Sequence, residues 1–420
     1  MPIVTIFDPL DQRNIPLMSH KFVFAAVAVA LLAGCGNEPA PDLDPAEKAK
    51  QIAASSIIVD THVDVPYRLE SRPADVTMAT EGGDFDYPRA VAGGLNAPFM
   101  SIYTPASLEA EGRSKEVADS LIDLVEGIVE QAPDKFAIAL TAADVRRHFD
   151  SGLMSLPLGM ENGSPIEGDL ANLQHFYDRG IRYITPAHSL SNHIADSSYD
   201  DNRQWNGLSE FGEEVIREMN RLGIMIDVSH VSDDAFWQII DISSAPVIAS
   251  HSSARHFTPG FERNMSDEMI VALAKNGGVI QINFGSTFIS QESRNYGDAR
   301  MSAGREYLAA NPQLTEEHLY REFPDIYEQD HGPLPFASLD DVLDHFDHVV
   351  ALTGGVDYVG IGSDYDGVGD SLPIGLKDVS AYPNLVQGFL ERGYSEADIQ
   401  KILGENLLRV WQSVEDQAAK

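Results

Sequence analysis

The sequence predicts an α/β fold, a single-domain (β/α)8 TIM barrel, from three observations. Short apolar runs alternate with amphipathic stretches, which is the pattern of a parallel sheet covered by helices. Eight such runs follow one another after residue 50 without an intervening linker, at a length suited to one closed barrel. No glycine-rich phosphate-binding loop follows any run, which weakens the alternative of a doubly wound open sheet.

Each predicted strand is a near-continuous apolar run that ends where polar or glycine residues begin. Apolar residues on both faces indicate strands that are covered on both sides. The predicted strands are Ile57–Val59, Ala97–Tyr103, Leu153–Gly159, Tyr183–Pro186, Met225–Val228, Val247–Ala249, Val279–Phe284 and Tyr358–Ile361.

Two of the stretches between the strands have recognisable helix ends. Apolar residues recur every three or four positions from Leu208 to Leu222, and Gly223 follows where a helix C terminus favours glycine. Ser266 precedes Asp267 and a second acidic residue, a combination typical of a helix N terminus. Both stretches are therefore predicted to be helices that cover the sheet.

The composition indicates a globular domain with a large core and argues against some partners. Hydrophobic residues make up 43% of the chain and charged residues 22%. The 29 basic residues are outnumbered by 65 acidic ones, so the formal net charge is −36. Nucleic acids and anionic membrane surfaces attract basic patches, so neither is an expected partner.

The N terminus has the features of a bacterial lipoprotein signal. A short basic start at Met18 precedes the apolar run Phe22–Ala33, which is too short to span a bilayer but suits a secretory signal. The run ends in Leu-Ala-Gly-Cys, which resembles a lipobox in which Cys35 is lipidated and becomes the mature N terminus. The alternative is an ordinary signal peptide with an incidental cysteine. Because Cys35 is the only cysteine, it belongs to no disulfide framework.

These features predict three regions and a location. The stretch after Cys35 is rich in proline and acidic residues and lacks periodicity, which indicates a flexible tether. We expect a signal peptide over residues 1–34, a lipidated tether over 35–49 and the barrel domain over 50–420. The protein is expected in the bacterial cell envelope, attached to the membrane only through its lipid and facing the periplasm or the cell surface.

Side chains that can bind a metal or titrate follow six of the eight predicted strands. In a (β/α)8 barrel the carboxyl ends of the strands meet on one face, so these residues would share one pocket. Imidazole and carboxylate ligands without thiolates suit zinc or a similar divalent ion. The residues are His62 and Asp64 after the first strand, Glu161 after the third, His188 after the fourth, His230 after the fifth, His251 after the sixth and Asp364 after the eighth.

Each of these residues also has an ordinary structural interpretation. A single histidine after a strand is commonly a hydrogen-bonded loop residue, and Glu161 or Asp364 could belong to a turn. Their recurrence on six strand ends favours the metal site. Residues two apart on a strand point the same way, so His62 and Asp64 can bind one ion together while Val63 points away.

The remaining histidines outside the N-terminal region carry no such pattern. His193 and His256 follow the fourth and sixth strands, so a place at the pocket rim is open but has no further support. The others lie in polar or helical contexts and are expected at the surface: His148, His175, His318, His331, His345 and His348.

The set of motifs resembles the membrane dipeptidase (renal dipeptidase) family of zinc metallopeptidases, a branch of the amidohydrolase superfamily. The combination is specific where a single motif is not, and it extends over residues 56–412, nearly the whole predicted domain. The resemblance implies a (β/α)8 barrel with two zinc ions that hydrolyses dipeptides. The matching segments are DTHVDVP, GMENG, ITPAHS, DVSH, SHSSAR, ERN at 262–264, GIGSDYDG and ENLLRVW at 405–411.

The resemblance implies which residues bind the two ions. His62 and Asp64 match the ligands of one zinc, and His230 and His251 match those of the other. Glu161 matches the carboxylate that bridges both ions. In the implied reaction, a hydroxide held between the ions attacks the peptide carbonyl.

Three further positions match residues that act on the substrate. Asp364 matches the acid/base aspartate, which takes the proton of the attacking water and passes it to the leaving amine. His188 matches the histidine that polarises the scissile carbonyl and stabilises the oxyanion. Arg263 matches the arginine that holds the free carboxylate of the substrate.

The sequence also departs from the family pattern. Val63 replaces a polar residue common at that position, and residues 285–337 form a long polar excursion that is expected to act as a lid or a pocket wall. Because Cys35 stands alone, the disulfide-linked dimers of animal members are not expected. A homodimer formed in another way stays open.

Two other functions stay open. The same site could hydrolyse N-acyl amino acids or lactams, and tolerance of a substrate without a free amine would discriminate between these reactions. A non-catalytic solute-binding lipoprotein would be expected to have lost a metal ligand, whereas every metal and acid/base position is filled here. The favoured interpretation is a lipid-anchored zinc dipeptidase.

Overall fold

The structure is a computed structural model that describes residues 44–314, 318–319 and 322–418. The predicted signal peptide at residues 1–34, the predicted lipidation site Cys35 and the tether up to residue 43 lie outside these ranges. The described residues from 44 onward form one compact unit, in agreement with a single domain.

Eight parallel strands form a nearly closed barrel, which confirms the predicted fold. The strands in the described residues are β1 (Ile58–Val63), β2 (Leu95–Tyr103), β3 (Phe136–Ile138), β4 (Met154–Leu156), β5 (Leu158–Glu161), β6 (Ile181–Thr185), β7 (Met225–Ile226), β8 (Ile248–Ala249), β9 (Val279–Ile282) and β10 (Val359–Ile361). The barrel sheet has the order β7-β6-β5-β2-β1-β10-β9-β8, and β3 and β4 form a separate parallel pair. The two edges of the barrel sheet meet at a bridge between Asp227 and Ile248, where the Val228 N–H donates to the Ile248 carbonyl oxygen over 2.7 Å.

The third predicted strand, Leu153–Gly159, is two strands in the structure. β4 pairs with β3 outside the barrel, and β5 begins at Leu158 as a barrel strand. Pro157 lies between them, and a proline has no N–H to donate to a neighbouring strand. The interruption allows β5 to take its own register in the barrel and to end at Glu161.

Helices connect the strands and cover the sheet. Among the described residues, no helix is both long enough and apolar enough to cross a membrane. The helices in the described ranges are α1 (Pro45–Ser55), α2 (Val65–Ser71), α3 (Tyr87–Gly93), α4 (Ser107–Glu111), α5 (Ser114–Gln131), α6 (Ala142–Ser151), α7 (Ala171–Asp178), α8 (Glu210–Leu222), α9 (Asp233–Ile242), α10 (Asp267–Lys275), α11 (Ser286–Ile289), α12 (Gln291–Ala310), α13 (Phe323–His331), α14 (Leu339–Thr353), α15 (Tyr382–Glu391), α16 (Glu396–Gln400) and α17 (Asn406–Ala418).

Helix α1 places the start of the folded domain before residue 50. Pro45 lies in its first turn, where the missing N–H has no helical partner to lose. Ala49, Ile52 and Ala53 are buried, and the helix packs against α15. The sequence predicts a flexible tether up to residue 49, but residues 45–49 lie in this helix, and its apolar face is covered by the domain.

Both helix ends that the sequence predicts are present. α8 ends at Leu222, and Gly223 follows in the left-handed conformation with a φ of 84°. The Ser266 side chain accepts a hydrogen bond from the Met269 N–H at the start of α10. Local signals of this kind act within one turn of the helix, so they do not depend on the rest of the fold.

The expected surface position is wrong for His148 and His345. His345 on α14 is fully buried; its Nδ1 accepts from the Ala254 N–H and its Nε2 donates to the Ile289 carbonyl oxygen, both over 3.0 Å. His148 on α6 is buried with its Nδ1 2.9 Å from the Ser155 hydroxyl oxygen. Both lie on the buried face of their helices, which a polar sequence context does not reveal. The others are at least partly exposed: His175, His318, His331 and His348.

Aromatic side chains connect α17 to the first strand. Trp411 on α17 is fully buried, and its ring centroid lies 5.3 Å from that of Phe99 on β2. The Phe99 ring centroid lies 5.4 Å from that of Tyr183 on β6. The Tyr183 hydroxyl oxygen is 2.8 Å from Nδ1 of His62 on β1. Core packing thus supports the first histidine of the predicted metal site.

Candidate active site

The barrel brings the predicted metal-binding and acid/base residues together at the carboxyl ends of its strands. Apart from His188, which is partly exposed, none of them is more than 8% exposed. Side-chain ligand atoms that lie within 4.8 Å of one another form three overlapping groups: His62, Asp64 and Asp364; His62, Glu161 and His251; and Glu161, His188 and His230.

The carboxylate of Glu161 lies at the centre of these groups. Its Oε2 is 3.5 Å from Nε2 of His62. Its Oε1 is 3.0 Å from Nε2 of His230 and 3.2 Å from Nε2 of His251. The Nε2 of His188 is 3.4 Å from the same Oε1. The two oxygens of one carboxylate therefore face two different sets of imidazoles.

A second carboxylate approaches His62 from its own strand end. Oδ2 of Asp64 is 3.4 Å from Nε2 of His62. Val63 between them is fully buried and forms a bridge with Tyr365 instead. The side chains of His62 and Asp64 thus meet at one point, as their spacing predicts.

A divalent cation fits this arrangement. Nε2 of His62 is buried, faces two carboxylates and has no hydrogen-bond partner among the described residues. A buried polar atom without a partner is unfavourable, and a cation shared with the carboxylates would satisfy it. Imidazoles and carboxylates without thiolates are the donors of catalytic zinc sites.

The protonation states of Glu161, His230 and His251 also suit a metal. Burial by itself would raise the pKa of Glu161, but the imidazoles of His188 and His62 lower it well below its ordinary value. Burial also lowers the pKa of His230 and His251 well below the ordinary imidazole value. An ionised carboxylate and neutral imidazoles are the forms that bind metal ions.

The protonation of His62 differs from that of His230 and His251. Burial by itself would lower the pKa of His62, but Tyr183 and the carboxylates of Glu161 and Asp64 raise it well above the ordinary imidazole value. His62 would therefore release a proton on binding an ion.

Asp364 has a raised proton affinity in the same pocket. Burial is the main cause that raises the pKa of Asp364 to about 7, and His62 opposes the rise. The carboxylates of Asp64 and Glu161 add to it. The Asn283 Nδ2 donates to Oδ2 of Asp364 over 2.7 Å and orients the carboxyl group. A carboxyl that exchanges a proton near neutral pH is suited to acid/base chemistry.

Backbone conformation contributes to the site in a way that residue patterns do not reveal. His230 has a φ of 68° and Asp364 a φ of 64°, in the left-handed region that residues other than glycine seldom adopt. A Cβ atom at position 367 would lie 2.2 Å from carboxylate oxygens of both Asp64 and Asp364. Gly367 is therefore required for the backbone to approach the two carboxylates so closely.

A second layer of hydrogen bonds directs the imidazoles of His251 and His62 toward Glu161. The Ser250 hydroxyl donates to Oδ2 of Asp227 over 2.6 Å, and its oxygen lies 2.7 Å from Nδ1 of His251. With its proton engaged, the Ser250 oxygen can accept from Nδ1–H of His251, which leaves Nε2 free to bind a cation. Tyr183 makes the corresponding contact to His62. Such contacts fix both the tautomer and the ring direction of a metal ligand.

Arg263 is buried beside this cluster. Its Nη1 donates to the Ser252 hydroxyl over 2.7 Å, and its Nη2 donates to the His251 carbonyl oxygen over 2.8 Å. Its Nε is buried and has no partner among the described residues. The guanidinium is thus held by two fixed contacts and keeps a buried donor for an anion.

These features allow a comparison with known proteins. The profile of the membrane dipeptidase family (peptidase family M19) matches residues 46–420. The chain belongs to this family. The family prediction is therefore confirmed, and with it the prediction of a hydrolase of the metallopeptidase type whose family ordinarily uses zinc.

The proteins similar to this family member include one compared by its sequence and two compared by their solved structures. An uncharacterized dipeptidase of Schizosaccharomyces pombe is 30% identical over 387 residues, which cover 89% of this chain and 84% of that protein. The probable dipeptidase PvdM from Pseudomonas aeruginosa is 27% identical, with a TM-score of 0.77 over 89% of this chain and 99% of that one. A metallo peptidase from Rhodobacter sphaeroides, liganded with a phosphinate mimic of the dipeptide L-Ala-D-Ala, is 25% identical, with a TM-score of 0.70 over 86% of this chain and 99% of that one.

The start of the polar excursion of this family member packs near Arg263. Where it is described it is mainly helical, in α11, α12 and α13. The Phe288 ring of α11 lies with its centroid 5.4 Å from the Arg263 guanidinium carbon. The Phe261 ring lies 5.6 Å from Phe288 and 4.3 Å from the guanidinium carbon of Arg294 on α12. The start of the excursion therefore borders Arg263 on one side.

Sequence reasoning missed two residues that support the dipeptidase site. Asn283 follows β9, one of the two predicted strands that no candidate residue follows, and the amide of Asn283 is the signal that could have marked it. Tyr183 lies inside β6, and nothing in the sequence marks it, because its role depends on the contact with β1. His193 and His256, for which the sequence allows a place at the pocket rim, belong to none of the three groups of ligand atoms in the active site.

Replacing Tyr183 by phenylalanine tests the support of His62. Tyr183→Phe keeps the ring in the core and removes the hydroxyl next to Nδ1 of His62. We expect metal affinity to fall by about 10–100-fold, the usual effect of losing such a contact. Competition with a chromophoric chelator would measure it, with Tyr358→Phe, in the turn before β10, as the control. Equal affinity of the Tyr183 variant and the wild type would show that the hydroxyl does not orient the ligand.

Proposed function

We propose that this chain is a binuclear zinc dipeptidase that hydrolyses the peptide bond of dipeptides. The observation that carries the proposal is the position of Glu161, whose two carboxylate oxygens face different sets of imidazoles. A carboxylate in this position can share its charge between two cations. Membership of the dipeptidase family supports the reaction class.

Five side chains would hold the two ions. Oε2 of Glu161 would join His62 and Asp64 around one ion, and Oε1 would join His230 and His251 around the other. When bound, two divalent cations acidify a shared water, so that hydroxide is available near neutral pH. The five side chains supply three imidazoles and two carboxylates, and the two carboxylate charges offset half of the added positive charge.

Asp364 is the proposed acid/base residue. Its ligand oxygen lies within 4.8 Å of those of His62 and Asp64, so it can take a proton from a water held at that point. Asn283 holds its Oδ2, which leaves Oδ1 to carry the proton to the leaving amine. The fixed orientation serves both transfers without movement of the backbone.

His188 is the proposed stabiliser of the oxyanion. Its ring packs against those of Tyr103 and His230, with centroids 4.7 Å and 4.1 Å away, which fixes its plane. Burial lowers its pKa, so the ring is a neutral donor rather than an imidazolium. A positioned N–H that meets the developing charge typically contributes about two to three orders of magnitude in rate.

Arg263 is the proposed reader of the substrate carboxylate. It lies next to His251, one contact away from the metal ligands, and keeps Nε unpartnered among the described residues. A carboxylate held there would direct the peptide bond next to the C terminus toward the metal-binding residues, as the hydrolysis of a dipeptide requires. The ligand of the Rhodobacter sphaeroides relative, a mimic of L-Ala-D-Ala, leads us to include a D-residue at the C-terminal position among the proposed substrates.

Metal analysis combined with a dipeptide library tests the proposal. The purified domain is expected to contain at least two zinc ions per chain and to hydrolyse dipeptides, including some with a C-terminal D-residue. Glu161→Gln should lose bound metal and activity together because it weakens both ion sites, whereas Glu130→Gln, on the exposed face of α5, should change neither. Fewer than two ions and no cleavage of any dipeptide would reject the binuclear dipeptidase. Cleavage of N-acyl amino acids in preference to dipeptides would instead favour another amidohydrolase reaction.

The role of Arg263 is tested by changing enzyme and substrate together. Arg263→Ala should raise KM for dipeptides by about 10–100-fold because a charge-assisted hydrogen bond is lost. A dipeptide carboxamide lacks the carboxylate, so its KM should hardly change in the same variant. Arg217→Ala on the exposed face of α8 is the control for lost positive charge. If the variant discriminates between acid and amide as strongly as the wild type, another group reads the carboxylate.

We also propose that Cys35 carries a lipid that attaches the domain to the bacterial cell envelope. The support is the sequence alone: an apolar signal-like run that ends in Leu-Ala-Gly-Cys, with no other cysteine in the chain. In a bacterial host, the full chain should incorporate labelled fatty acid and sediment with membranes. Cys35→Ser should abolish the labelling, and labelling that survives this change would exclude Cys35 as the site.

A further inference from the structure

A second cluster of metal-competent side chains lies outside the dipeptidase site. We call it the outer histidine cluster; it consists of His256, Asp267 and His348. His256 lies in the turn Arg255–Phe257, Asp267 is the first residue of α10, and His348 is on α14. One side-chain ligand atom from each lies within 4.8 Å of those of the other two. Three separate elements therefore contribute one possible ligand each.

The spacing of the cluster is close to that of a metal site. Nε2 of His348 is 2.8 Å from Oδ1 of Asp267, and the rings of His256 and His348 are stacked with centroids 4.4 Å apart. With metal–ligand bonds of about 2.0–2.1 Å, a tetrahedral angle needs donor atoms about 3.3 Å apart. If the accessible Asp267 carboxylate moved outward by about half an ångström, its distance from Nε2 of His348 would match that between two donors of a tetrahedral site.

The donors of the outer histidine cluster are largely free. Among residues 44–314, 318–319 and 322–418, neither ring nitrogen of His256 has a hydrogen-bond partner, and Nδ1 of His348 has none either. In the same ranges no lysine or arginine pairs with Asp267. The carboxylate of the cluster is thus paired with one imidazole only, and one hydrogen bond would be exchanged for metal bonds.

We propose that the outer histidine cluster binds a third divalent metal ion of the zinc type. Two imidazoles and one carboxylate, without thiolate, suit such an ion, and water would complete the tetrahedron because the cluster lies at the surface. His256 and Asp267 are at the two ends of a segment that contains Arg263. A bound ion would therefore fasten both ends of this segment to each other and to α14.

Counting bound zinc in matched variants tests the third site. The full chain, stripped of metal and titrated with Zn²⁺ alone, should lose one bound ion per chain when His256 is replaced by alanine. Because His256 is exposed and unpartnered among the described residues, the change should leave the fold intact. His348→Ala should give the same loss of one ion.

The control variant is His175→Ala. Nε2 of His175 is also 2.8 Å from a carboxylate oxygen, Oδ1 of Asp119, but no second histidine completes a group there. This variant should bind as much zinc as the wild type. Equal zinc content in the wild type and His256→Ala, or an equal loss in His175→Ala, would overturn the proposal. The test compares the zinc content of each variant with that of the wild type and looks for a difference of one ion. Its outcome therefore does not depend on whether the dipeptidase site holds two ions.

Discussion

The structure depends above all on one buried carboxylate, that of Glu161. A carboxylate away from water is unfavourable unless opposite charge and hydrogen bonds compensate it. Here the compensation comes from imidazoles on both of its oxygens and, in the proposed enzyme, from two cations. To compensate the Glu161 charge, each histidine must reach a defined oxygen of its carboxylate. The strand ends that carry these histidines are therefore held in one arrangement around Glu161.

The barrel meets this requirement through its packing. A Cβ atom at position 159, two residues before Glu161, would lie 2.0 Å from the Tyr183 ring, so only glycine lets β5 and β6 approach each other here. The Tyr183 ring then presents its hydroxyl to His62. Behind it, Phe99 and Trp411 fill the space up to the C-terminal helix. The orientation of His62, a proposed metal ligand, thus rests on apolar packing that extends from β1 to the C-terminal helix.

The loop that carries Asp364 is held by hydrogen bonds and an ion pair rather than by apolar packing. The Asp366 N–H donates to Oδ2 of Asp84 over 2.8 Å, and the Asp84 N–H donates to Oδ1 of Asp366 over 2.7 Å. The buried Arg68 adds an ion pair, with its Nε 3.1 Å from Oδ2 of Asp366. These contacts offset the strain of two residues with positive φ, Asp364 and Asp366, so that the carboxyl group proposed for acid/base chemistry keeps its direction.

The sequence by itself determined the barrel, the family and the residues that end its strands, because apolar periodicity and local motifs are carried by neighbouring positions. Helix ends at Gly223 and Ser266 were predictable for the same reason. The tertiary structure alone decided the division of the Glu161 oxygens between two histidine sets and the contact between His62 and Tyr183, which are 121 residues apart. It also decided which helical histidines are buried. These features depend on strand register and barrel closure, which arise from contacts between distant segments and leave no periodic signal in the chain.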